Sequence, residues 1–319
     1  MLKSNNIFLK AGQLFYLAGY KAKSGFSDRF KKPLICSFKI TGRCNLRCLH
    51  CPFWKEPAVP DMSFEKVIEI LGHLKSEGVR IVIFEGGEPM LWKDEASGRD
   101  ISHVIDHANK MFYFTGITTN GTMDLSAVSP DIFFISIDGL DETYSSIRGA
   151  GFKRIVSNIE KNNKNKKIIA NICISRVNLE QITAIVRFLN EIVFGITIQF
   201  FYPYEGLPDL KLSGQERISV LDELLALKSA GYRILDSYSC LKKMRLNTWR
   251  CSDFLVANVE ANGIISYGCY LKNRVENVSC RDCGFAVHCE ISLAYNLDVS
   301  AIRAAKNIFW DSINLKTIP

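Results

Sequence analysis

The sequence has no apolar run long enough to span a bilayer. It also lacks a clean secretory signal: the apolar stretch at 7–20 is interrupted by Lys10 and Gln13, and no small-residue cleavage site follows it. No internal repeat or long low-complexity linker is present. The net charge of +7 is unevenly placed. Residues 1–32 hold Lys3, Lys10, Lys21, Lys23, Arg29, Lys31 and Lys32 against Asp28 alone, so the remaining chain is close to neutral. That distribution excludes a basic, nucleic-acid-binding body and isolates a basic N-terminus.

Cysteine, by contrast, is abundant. There are eleven: Cys36, Cys44, Cys48, Cys51, Cys173, Cys240, Cys251, Cys269, Cys280, Cys283 and Cys289. Without a secretory signal the expected compartment is the cytoplasm, where clustered thiols bind metal more often than they form disulfides. Cys36 and Cys173 lie in apolar, strand-like segments and read as core thiols. At 47% hydrophobic and 23% charged residues, the 319-residue chain has the composition of a globular protein with a large core.

From residue 34 onward, strand and helix patterns alternate. Strands are expected at 34–40, 79–84, 112–118, 132–137, 167–174 and 195–202. Helices are expected at 63–74, 101–111, 141–147, 152–163, 180–192 and 214–230. Repeated βα units imply a parallel sheet with ligands at the carboxyl ends of its strands. About six units are visible, fewer than a full barrel has. The charged stretch at 161–167 reads as a solvated helix-to-strand turn. The expected division is a basic, apolar N-terminal segment at 1–32, an α/β body at 33–235 and a cysteine-rich extension at 236–319.

The chemistry-bearing segments fall just past the expected strands. Cys44, Cys48 and Cys51 form a C-x3-C-x2-C triplet after the first strand. Three thiolates at this spacing suit three corners of a four-iron cluster and leave one iron open. The second strand runs into Gly86-Gly87-Glu88-Pro89, the third into Thr119-Asn120-Gly121, and the fourth into Ser136-Ile137-Asp138-Gly139, with Arg148 ten residues beyond Asp138. Glycines permit close backbone approach, and an arginine fork suits a carboxylate.

This ordered set resembles the signature of the radical S-adenosylmethionine (radical SAM) superfamily. The resemblance implies a partial (β/α)6 TIM-like barrel with a small cysteine-rich C-terminal extension. It implies a 4Fe-4S cluster on Cys44, Cys48 and Cys51, with S-adenosylmethionine chelated to the open iron. Gly86, Gly87 and Glu88 would meet the methionyl ammonium. Asn120, Ser136, Asp138 and Arg148 would line the rest of the cofactor site, Asp138 being equally readable as a structural cap. His50 takes the slot of an aromatic residue beside the adenine, with Phe53 and Trp54 extending that wall.

The extension has Cys251, an Asn262-Gly263 turn, Cys269, and then Cys280, Cys283 and Cys289 as C-x2-C-x5-C. It resembles the SPASM extension or its shorter relative, twitch, and implies one auxiliary 4Fe-4S cluster on Cys251, Cys269 and two of Cys280, Cys283 and Cys289. Cys240 is a further candidate. The spacing from Gly263 to Cys269 is one residue longer than the SPASM pattern, and the later cysteines of that pattern are missing. A structural zinc site is the competing assignment.

The resemblance implies reductive cleavage of S-adenosylmethionine to a 5′-deoxyadenosyl radical that abstracts a hydrogen atom from the substrate. The electron would come from a donor such as ferredoxin or flavodoxin. A SPASM-like tail favours a peptide- or protein-modifying maturase. An alternative is a lipid or isoprenoid substrate at the membrane surface, with residues 1–32 in peripheral contact. In this segment Lys10, Gln13 and Lys21 share one helical stripe amid apolar residues, which suits either a membrane surface or a helix closing the open end of the barrel. A non-catalytic iron–sulfur or zinc scaffold is the third possibility.

Overall fold

The computed structural model describes residues 7–57, 59–149, 151–275 and 277–311. Among these residues the main sheet has eight strands. In chain order they are β1 (Ile35–Thr41), β2 (Ile81–Gly86), β3 (Phe114–Thr119), β4 (Ile132–Ser136), β5 (Ile168–Ile174), β6 (Gly195–Phe200), β7 (Val256–Val259) and β8 (Ile265–Tyr267). Strands β1 to β6 neighbour one another in chain order and are all parallel. This is the expected α/β, partial TIM-like arrangement.

The helices are α1 (Ile7–Phe26), α2 (Phe64–Glu77), α3 (Ile101–Met111), α4 (Asp141–Arg148), α5 (Phe152–Asn162), α6 (Ile182–Ile192), α7 (Gly214–Ser229), α8 (Tyr238–Met244), α9 (Ala286–Tyr295) and α10 (Val299–Phe309). Local chemistry explains their ends. The Ser63 hydroxyl accepts from the Lys66 N–H to start α2, and Gly78, at φ +112°, stops it. Between them Val67, Ile70, Leu71 and Leu74 form the buried stripe. Ser213 and Glu216 close a capping box at the start of α7.

Three features depart from a simple run of βα units. The link from β3 to β4 contains no helix. Instead, Leu125 and Val128 bury themselves, and the Asn158 amide of α5 donates to the carbonyls of Gly121 and Met123. Second, the cysteine-rich extension adds to the main sheet. β7 pairs in parallel with β1, Ile35 opposite Val256, and β8 returns antiparallel to β7. The Asn262-Gly263 turn is as expected, with Gly263 at φ +82°. Third, the turn near 161–167 is not solvated throughout: Lys167 is buried and donates to the carbonyls of Asn307 and Asp311.

Helix α1 lies across the amino ends of the strands. Tyr16 donates to the Gly78 carbonyl just before β2 and meets the Tyr113 ring just before β3. Tyr20 donates to the Lys32 carbonyl before β1. The opposite end of the sheet, where the strands finish, is left to the motif loops.

Candidate active site

The loop after β1 carries Cys44, Cys48 and Cys51, and five hydrogen bonds hold it. The Thr41 hydroxyl and Arg43 guanidinium both donate to Asp61, each at 2.5 Å. Asn45 exchanges hydrogen bonds with Asn120 and Thr122 at 2.8 Å. The Leu49 N–H donates to the Ile147 carbonyl at the end of α4, at 2.7 Å. Burial pushes the Cys44, Cys48 and Cys51 thiols up, Cys48 to about 11. Arg148 pulls the other way without overcoming burial, so metal binding must displace the thiol protons.

Gly86 and Gly87 are the floor under this loop. A Cβ on Gly86 would stand 2.3 Å from the Thr41 carbonyl oxygen, and one on Gly87 2.2 Å from that of Arg43. The Gly87 and Glu88 N–H groups donate to those same two oxygens. The glycine pair therefore seats the cysteine loop on β2. Glu88 is fully buried: it accepts from the Thr119 hydroxyl at 2.7 Å, the Asn120 N–H at 2.8 Å and the Met90 N–H at 3.1 Å. Burial pushes its carboxyl up against the pull of those donors.

Past β4, Arg148 and Asp138 meet. The Arg148 Nε donates to the Asp138 carboxylate at 2.5 Å, and its Nη1 stands 3.9 Å from the Cys48 sulfur. Asp138 also accepts from the Cys173 N–H at 2.7 Å, so one oxygen anchors it to β5 while the other orients the arginine. The His50 Nε2 is 3.7 Å from the same carboxylate. Burial lowers His50 to about 4, against the pull of Asp138, so the ring is neutral near pH 7. Ser136 is half-buried at the end of β4, opposite Asn171 on β5.

Ser37, Glu85, Thr118, Ser136, Asn171 and Thr197 are half-buried and sit at alternate positions of their strands. They give the concave face of the open barrel a polar lining, while the other parity fills the core. Near the β7–β8 hairpin, a cavity of about 500 Å³ is lined by Lys39, Glu56, Glu260, Ile264, Ser266 and Arg274. Lys39, almost fully buried, pairs with Glu260 at 3.1 Å and lies 4.1 Å over the Phe53 ring. Arg274 pairs with the other Glu260 oxygen and stacks 3.4 Å over Tyr270. Burial would push the Glu260 carboxyl up, but these two cations hold it below its ordinary range.

The C-terminal cysteines divide into two groups. Cys251, Cys269 and Cys283 act on one another electrostatically, and Cys280 acts on Cys283. Burial, then Asp253, pushes Cys251 up to about 12. Asn247 donates to the carbonyls of Cys280, Arg281 and Cys283, and Gly284 docks on the Phe200 backbone, fixing this loop to the end of β6. His288, which sequence reasoning passed over, places its Nδ1 3.9 Å from the Cys251 sulfur.

Cys289 belongs elsewhere. It is fully buried on α9, where it helps raise the Cys240 thiol of α8. Cys240, Asp236 and Glu290 form a tight group whose ligand atoms lie within 4.8 Å. Among the described residues no three cysteine sulfurs approach that closely, whereas one tetrahedral zinc would draw them to about 3.8 Å. Asp61, Lys39, Glu260 and Arg274 stand in no motif, and Asn45 and Thr122 stand in motif segments without an assigned role, because their roles arise from contacts between distant segments.

Residues 38–189 match the model of the Radical SAM superfamily. The sporulation killing factor maturation protein SkfB of Bacillus subtilis is 26% identical over 213 residues, 62% of this chain and 50% of that protein. Fe-coproporphyrin III synthase of Methanosarcina barkeri is 30% identical over 132 residues, covering 37% of this chain and 30% of that one. The chain thus spans about half or less of the length of these relatives. SuiB of Streptococcus suis, solved with S-adenosylmethionine, shares the fold at a TM-score of 0.65 and 17% identity, over 81% of this chain and 65% of that one.

Proposed function

Proceeding from the match of residues 38–189 to the Radical SAM superfamily, we propose that this protein is a peptide- or protein-modifying radical SAM enzyme that cleaves S-adenosylmethionine at a 4Fe-4S cluster on Cys44, Cys48 and Cys51. The observation that carries this reading is the meeting of four motif loops: the cysteine loop rests on Gly86 and Gly87, is bonded to Asn120 through Asn45, and is faced by Arg148. The group fits its residues, which offer two half-buried thiols and one buried thiol, a cation against the buried one and a polar, open barrel face beside them. When bound there, the cluster and cofactor supply a 5′-deoxyadenosyl radical that can take a hydrogen atom from an unactivated carbon.

The chain's own residues bind, orient and shield. Cys44, Cys48 and Cys51 give up their protons to hold iron. Arg148, held by Asp138, offers its remaining donors to the cofactor's carboxylate or to sulfur. Ser136 and Asn120 line the cofactor site, and the neutral His50 ring offers an aromatic face. Glu88 acts through the loop it holds, since both of its oxygens are occupied. The barrel face and the Lys39–Glu260–Arg274 cluster keep water from the reacting centre and receive the substrate. Cys251, Cys269, Cys280 and Cys283 are assigned to an auxiliary 4Fe-4S cluster.

The maturase reading is supported by SkfB, a maturation protein by name, and by the fold shared with SuiB, which has also been solved with its precursor peptide SuiA. The test is anaerobic. Reconstituted protein should release 5′-deoxyadenosine with dithionite, and a Cys44/Cys48/Cys51 triple alanine variant should not. A degenerate peptide pool should stimulate release. Stimulation by isoprenoid-loaded vesicles alone would overturn the peptide assignment, and cleavage by the triple variant would overturn the cluster assignment.

A further inference from the structure

Helix α1 is turned inside out. Its inward face is polar: Gln13 accepts from the Trp310 indole at 2.6 Å, Lys10 donates to the Trp310 carbonyl at 3.2 Å, Ser24 meets the Tyr295 hydroxyl at 3.1 Å, and Lys21 lies 3.7 Å over the Tyr295 ring. Its outward face is apolar. Phe8, Phe15 and Phe26 are 85%, 79% and 88% exposed. Their spacings of seven and eleven residues place all three rings on one stripe. Gly12, Gly19 and Ala22 fill the stripe between them, and Leu14, half-exposed, flanks it. An ordinary surface helix buries such a stripe; this one presents it to solvent at a cost that an apolar partner would remove.

We propose that this face docks on an anionic lipid surface. Charge selects that occupant. Lys10 and Lys21 face the body and Lys31 and Lys32 pair with Asp28 and Glu77, but Lys23 and Arg29 are exposed and lie beside or just beyond the aromatic stripe. Aromatic rings at the headgroup boundary, with lysine and arginine reaching to lipid phosphates, are the two components of interfacial helix binding. A second copy of the chain would bring the same positive field against itself. Among the described residues no helix is long and apolar enough to cross a membrane, so the helix lies in the interface.

The placement has a functional consequence. Helix α1 covers the amino ends of β1 to β3, whereas the cysteine loop and the cavity lie at their carboxyl ends. Docking would hold the enzyme at the membrane with its site turned away from the bilayer. The proposal is independent of the substrate.

The test uses the full chain with vesicles of phosphatidylglycerol and phosphatidylcholine, or of phosphatidylcholine alone. Wild type should pellet with the anionic vesicles, less so at high salt. A Phe8→Ser/Phe15→Ser/Phe26→Ser variant should lose roughly tenfold or more in vesicle affinity. All three rings are exposed, so its circular dichroism and 5′-deoxyadenosine release should be unchanged. Lys23→Glu/Arg29→Glu should weaken binding to anionic vesicles as a second check. Equal pelleting of wild type and the triple variant overturns the proposal. So does failure of wild type to bind anionic vesicles, including the case where the phenylalanines instead support a concentration-dependent dimer.

Discussion

Arg148 meets Cys48 across one hundred residues of sequence, with its Nη1 3.9 Å from the cysteine sulfur. The contact exists because Asp138 fixes the guanidinium from the other side and is itself tied to the Cys173 N–H. A buried cation is thus held between one carboxylate and the cysteine loop. Arginine suits this better than lysine, because its planar fork serves both neighbours at once.

Arg148→Lys should lower 5′-deoxyadenosine formation roughly ten- to hundredfold, the loss expected for one or two charge-assisted hydrogen bonds. Asp138→Asn should show a similar loss, because it frees the arginine. His50→Phe should retain most activity, since the His50 ring is neutral and offers only its face. Comparing release rates of the three variants checks this; a dead His50→Phe enzyme with an active Arg148→Lys enzyme would reverse the assignment.

Gly87→Ala should displace the cysteine loop, because the added carbon would lie 2.2 Å from the Arg43 carbonyl oxygen. Backbone cannot yield as a flexible side chain can, so about 1–3 kcal/mol of stability should be lost together with iron retention. Gly42→Ala, in the same loop but with nothing within 4 Å of the new carbon, should behave as wild type. Thermal unfolding and iron per chain separate the two.

Cys283→Ala should remove the auxiliary cluster, lowering the reconstituted iron count by about four per chain. Cys289→Ala should leave the count unchanged, because Cys289 faces Cys240 on α8. It should destabilise the fold instead, by leaving a small cavity between α8 and α9. Equal iron loss in both variants would place Cys289 among the ligands.

Asp236 supplies a pH dependence. Burial, then the Glu290 carboxylate, push it up to about 8, while burial pushes Glu290 to about 7. The folded state therefore holds protons that the unfolded chain releases near pH 4. The stability tied to them is fully present below that pH and is lost as pH rises through 7 to 8. Denaturant midpoints should fall between pH 5 and pH 8 in wild type. Asp236→Asn keeps an acceptor for the Ile198 N–H and should flatten that fall; an unchanged slope would assign the dependence to other groups.

Much of this protein was legible in its sequence. Period-two and period-3.6 apolar patterns marked β1 to β6 and most helices, because burial of one face acts residue by residue. The cysteine triplet, the Gly86-Gly87 pair and Arg148 were visible for a similar reason: few other residue types supply thiolates, a close backbone approach or a charged fork. Tertiary structure decided which of these groups meet. Parallel pairing of β7 with β1 joined the extension to the barrel, and the burial of α8 against α9 gave Cys289 to Cys240 rather than to the loop at Cys283. Glu260 became the partner of Lys39 and Arg274 only through the hairpin. Helix α1 shows the division most clearly. Its sequence fixed an apolar stripe and a polar one, but not which would face the body. The polar partners at the strand amino ends and in Tyr295 and Trp310 took the inner face, since leaving them unpaired under a helix costs more than exposing three phenylalanine rings to a solvent-facing side that another surface can cover.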